Sequence, residues 1–180
     1  MDDKTPSDIA DLGSFEYDPQ GNTWWSHELL PQGTFRFRVV FDVTHHQHFV
    51  TADPSSPVPR RDYRPEVLPA EPDATMRRMF EEYRERHAAL EPVYVAGLLK
   101  AFRSTSTTDP TWLRDVYGID PELSDAEVLQ LVEGAEVAIS KTIYPWGTEY
   151  ATRTFFHVRW DEEHGVPFAI RDGEAIILGD

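Results

Sequence analysis

This 180-residue chain has no cysteine, and the residues whose spacing could do chemistry are found among its 7 histidines and 32 carboxylates. His45, His46 and His48 follow a strongly alternating apolar stretch. On an extended strand His46 and His48 fall on one face, a spacing able to hold a metal ion. Only Asp42 shares that parity nearby, and histidines at an exposed strand end account for the same residues. A second group is Trp160-Asp161-Glu162-Glu163-His164-Gly165, with His157 just before it. An imidazole beside carboxylates can exchange protons near neutral pH. His46, His48, His157 or His164 acting with Asp161 or Glu163 would therefore form a metal-dependent or acid–base hydrolase. Adjacent charges at the tip of a turn make poor catalytic geometry, however, and the preferred role for Trp160, Asp161, Glu162, Glu163 and His164 is contact with a partner. No catalytic residue, metal ligand or cofactor is assigned. The chain has no Gly-rich phosphate loop, nucleophile elbow or HExxH helix.

Short strands must position the second group. From Thr154 to Asp180, three apolar runs are separated by the turn signals 161–165 and Asp172-Gly173, the pattern of a β-meander. Asp161 is placed to accept amide hydrogens two or three residues ahead, and Gly165 to take a positive φ. Trp160 falls on the apolar parity of Thr154, Phe156 and Val158. A strand ending at Tyr144 and a return strand over 148–160 precede the meander. Upstream, Phe35, Phe37, Val39, Phe41 and Val43 alternate with Arg36, Arg38, Val40, Asp42 and Thr44, a strand with one buried face. Adjacent Trp24 and Trp25 would point to opposite faces.

Helical periodicity begins at Asp73. Met76, Met79, Phe80, Tyr83, His87 and Leu90 form one stripe, and Pro92 is expected to stop or kink the helix. Residues 93–103 are apolar on nearly every side, which predicts a buried second helix. Residues 104–108 read as a polar connection. Asp109-Pro110 opens a short helix ending at Gly118. Ser124 with Glu127 makes a capping box for a helix over 125–133, with Gly134 as its stop.

Six prolines (Pro54, Pro57, Pro59, Pro65, Pro69 and Pro72) mark residues 53–72 as a loop. Residues 1–22 read as an acidic flexible tail, leaving a single α+β domain over 23–180. The expected architecture is an antiparallel sheet of five or six strands with a C-terminal β-meander and the central helices packed on one face.

The net charge is −15, concentrated as −6 over residues 1–33 and −10 over residues 104–180. That field repels phosphate backbones, which argues against nucleic acid, and attracts a basic protein. Without cysteine, a signal peptide or a long apolar run, the expected setting is soluble and cytoplasmic, with no membrane partner.

The run 160–165, followed by a short strand and a Gly-containing hairpin, resembles a bacterial domain family of unknown function. Its members share a C-terminal Trp-Asp-x-Glu-His-Gly signature. The order of helix, linker and strand over residues 73–180 is also similar. Some members are immunity-like, encoded beside secreted toxins. The resemblance implies an immunity-type protein that neutralises a basic toxin domain, and it carries no catalytic residue.

Overall fold

The computed structural model describes residues 7–9, 13–18, 23–45, 72–144, 147–171 and 174–178. Eight strands lie in one open sheet in sequence order: β1 (Ser7–Ile9), β2 (Gly13–Asp18), β3 (Thr23–Gln32), β4 (Phe35–His45), β5 (Val132–Tyr144), β6 (Gly147–Val158), β7 (Asp161–Arg171) and β8 (Glu174–Ile177). The first four and the last four strands each form an antiparallel meander. The two meanders meet where β4 runs parallel to β5, with Phe37 opposite Ala135 and Phe41 opposite Ile139. The sheet is therefore mixed rather than antiparallel throughout. A parallel pair cannot be closed by a hairpin and needs a long crossover. Here the crossover carries α1 (Ala74–Thr108), α2 (Pro110–Tyr117) and α3 (Asp125–Leu129).

The two helices expected on either side of Pro92 are one helix of 35 residues. Proline removes one i→i−4 hydrogen bond and crowds the carbonyl four residues back. Pro92 and Ala88 are both exposed, so water can take the freed carbonyl. Leu90 and Tyr94, on either side of the proline, are buried and hold the helix to the sheet. Residues 104–108, read as a connection, form its last turns; Thr105 and Ser106 hydrogen-bond back to carbonyls of the preceding turn. Asp73 caps the other end, its Oδ1 accepting the Thr75 and Met76 amides at 3.0 Å each.

The core lies between α1 and one face of the sheet. Phe35, Phe37, Val39, Phe41 and Val43 are all buried, as their alternation predicts. They meet Phe80, Tyr94 and Phe156 in tilted and edge-on aromatic contacts. Each such side chain contributes roughly 1.5–3 kcal/mol on burial. Gly97 lets α1 approach the last strands, since a Cβ there would lie 2.5 Å from the Phe168 ring and 3.0 Å from Ile177. Polar contacts also sit inside, among them the Tyr94 hydroxyl against that of Thr154 at 2.9 Å and the Val39 amide donating to the Ser26 hydroxyl at 2.9 Å.

Part of the expected tail is sheet. Ser7–Ile9 and Gly13–Asp18 pair as β1 and β2, and Phe15 is buried against Phe41 at 5.5 Å. Trp24 is buried and Trp25 half-buried on the opposite face. The expected helix over 125–133 ends at Leu129, and the strand takes over at Val132. Gly134 lies in that strand opposite His157, at a register shift, and is not a helix stop. The Pro-rich stretch, apart from Pro72, lies outside the described residues, as do His46 and His48. Among the described residues no helix is long and apolar enough to cross a membrane.

Candidate functional site

The turn expected over 161–165 is two features. Strand β6 ends at Val158, and Arg159-Trp160 makes a two-residue hairpin turn, with Val158 paired to Asp161. Phe156 then pairs with Val166, so residues 162–165 bulge from β7 opposite His157. Such a bulge re-aims side chains away from the ladder.

Each residue of the run has a separate physical task. Trp160 is 1% exposed, and its ring meets Phe102 of α1 edge-on at 5.4 Å. The Arg159 amide donates to the Leu131 carbonyl at 3.0 Å, tying the turn to the α3–β5 junction. Asp161 Oδ1 accepts the His164 amide at 3.0 Å and lies 3.1 Å from His164 Nδ1, closing the bulge as an Asx-type turn. Gly165 takes φ +60°, and a Cβ there would stand 2.5 Å from both the Phe156 carbonyl oxygen and the Phe155 ring. Only glycine fits such a backbone approach. Glu162, Glu163 and His164 are left exposed.

A neighbour that the sequence reading missed is Tyr117, at the end of α2. Burial raises the pKa of its hydroxyl, and the nearby charges of Asp161, Glu162 and Glu163 raise it further, against a hydrogen bond from the Glu162 backbone. The ring rests edge-on against Trp112 at 4.7 Å. Helix α2 forms where expected: Asp109 accepts the Trp112 amide, Pro110 occupies the first turn, and Gly118 closes the helix at φ +64°. In α3 the Glu127 carboxylate reaches back to the Ser124 amide at 2.8 Å. The α2–α3 segment thus borders the bulge and adds exposed Asp120, Glu122, Asp125 and Glu127. Arg103 binds Asp125 at 2.9 Å, and Arg159 lies 3.9 Å from Glu133.

Of the proposed hydrolase residues, the described histidines take different carboxylate partners. His164 is held by Asp161, whereas His157 Nε2 lies 3.2 Å from Glu136 Oε1 on β5. Among the described residues, no three His, Asp or Glu side chains are grouped to hold a metal ion. The chain stands apart in comparisons with known proteins: no family model, curated protein or solved structure matches it.

Proposed function

We propose that this chain is an acidic binding protein whose docking surface is the end of the sheet formed by the 162–165 bulge and the α2–α3 segment. The partner is a basic protein. An immunity-type role, neutralising a basic toxin domain in the bacterial cytoplasm, is the case implied by the resemblance of 160–165. The observation that supports docking is the division of labour inside the bulge. Trp160, Asp161 and Gly165 fix the backbone while Glu162, Glu163 and His164 face outward. A preorganised surface loses little conformational entropy on binding. Carboxylates carried on it attract and orient a cationic partner.

The test is capture of a partner by the full-length chain from its native host, followed by binding measurements at rising salt. The reading expects a basic partner, encoded in the neighbouring reading frame, whose affinity falls steeply with salt and is weakened by Glu162→Gln/Glu163→Gln. A partner insensitive to both would overturn it. The hydrolase alternative, with His46, His48, His157 or His164 acting beside Asp161 or Glu163, is favoured among the described residues by the exposed His164–Asp161 pair. It expects metal-induced stabilisation that disappears in His164→Ala.

A further inference from the structure

On the sheet face opposite α1, a groove of about 570 Å³ crosses the start of β4 and β5. Its walls include Leu29, Arg36, Arg38, Glu133, Glu136 and His157. That volume falls within the roughly 300–1,000 Å³ of small-molecule sites. Its two arginines are matched in number by two glutamates, but both glutamates are turned to other partners. Glu136 turns to His157 at 3.2 Å although Arg38 is its register neighbour, and Glu133 lies toward Arg159. Arg36 and Arg38 are exposed on one face of β4, two residues apart, and meet no carboxylate among the described residues. Side chains at this spacing sit about 6.6 Å apart along a strand. Two guanidinium forks can therefore close on one anionic group.

We propose that this groove binds an organic anion, its phosphate or carboxylate head held by Arg36 and Arg38. The half of the cleft beside Leu29, which is 45% exposed, takes a short apolar body. In a chain of net charge −15, long-range attraction does not bring an anion here. Recognition is a short-range matter of paired N–H donors, which favours a compact head over an extended polyanion. The site shares no residue with the acidic docking surface, whose 162–165 bulge lies opposite His157 at the edge of the groove.

The full chain, labelled with nitrogen-15, is titrated with phenyl phosphate and separately with phenylacetate, and benzyl alcohol serves as the uncharged control. Saturable amide shifts at Leu29, Arg36, Arg38, Gly134 and His157 are expected with at least one anion and not with the alcohol. The anion that binds tells phosphate from carboxylate. Arg36→Gln/Arg38→Gln should weaken binding by about tenfold or more, because each charge-assisted fork is lost. Glu162→Gln/Glu163→Gln should leave it intact. The wild-type footprint stands by itself should the double arginine variant fold poorly. Shifts that do not saturate, that saturate away from the groove, or that survive the arginine substitutions in a folded variant overturn the assignment.

Discussion

Gly165 carries the sharpest prediction among single residues. Its φ of +60° strains any other residue, and its missing Cβ makes room for the Phe156 carbonyl. Gly165→Ala should cost about 2 kcal/mol or more, read as a lower urea midpoint with unchanged slope. Asp161 and Gly165 were legible because Asx turns and positive φ have residue-type signatures. Trp160 was legible from strand parity. Tyr117 was not. It lies 43 positions before Trp160 in the chain, and only the packing of α2 beside the bulge brings it near Asp161, Glu162 and Glu163. Arg36 and Arg38 were in plain view as the polar half of an alternating strand. That half usually means solvent, and that they meet no carboxylate among the described residues is visible only once β5 is placed alongside.

Among the elements, α1 decides how the two meanders are held together. Its N-cap Asp73 also accepts Lys141 Nζ at 2.7 Å and the Tyr150 hydroxyl at 2.9 Å, joining the helix start to β5 and β6. Burial pushes the Asp73 carboxyl up, but hydrogen bonds from Lys141, the Met76 amide and Tyr150 outweigh it and leave the pKa lowered. A carboxylate depressed in the folded state stabilises above its unfolded value. That stability is lost as pH falls through the folded value, on the acid side of the ordinary aspartate range. Asp73→Asn, which keeps a cap acceptor, should flatten the acid limb of the stability curve, and Asp73→Ala, which removes the cap, should lose about 1 kcal/mol at neutral pH. With the Asp73 side chain 31% exposed, solvent screening keeps the ion-pair share of that loss small.

Gly97→Ala tests the approach of α1 to the sheet. The substitution gains about 1 kcal/mol in helix propensity. Overpacking against the buried Phe168 ring costs about 1–3 kcal/mol. The expected net result is a lower melting temperature in calorimetry. The sequence misled at Pro92 because propensity treats a helix as isolated, whereas Leu90 and Tyr94 hold this one to a core. The parallel β4–β5 pair had a signal that was not used: two long strands separated by helices point to a crossover rather than a hairpin.

For the whole molecule, the α+β class and the C-terminal meander followed from periodicity, whereas strand order and the mixed sheet depend on long-range pairing that no local pattern records. Charge links architecture to function. The last 77 residues hold a net −10, and the fold brings Tyr117, at the end of α2, into the field of the bulge's acids. Glu162→Gln/Glu163→Gln should slow association with a cationic partner more than it speeds dissociation, because rim charges act mainly on encounter; stopped-flow rates at two ionic strengths check this. The most direct measurement is an amide-shift footprint of the nitrogen-15-labelled chain titrated with a lysine-rich peptide. The account predicts salt-sensitive shifts gathered on residues 117–127 and 161–165. Shifts spread evenly over the molecule, or centred on β1–β3, would contradict it.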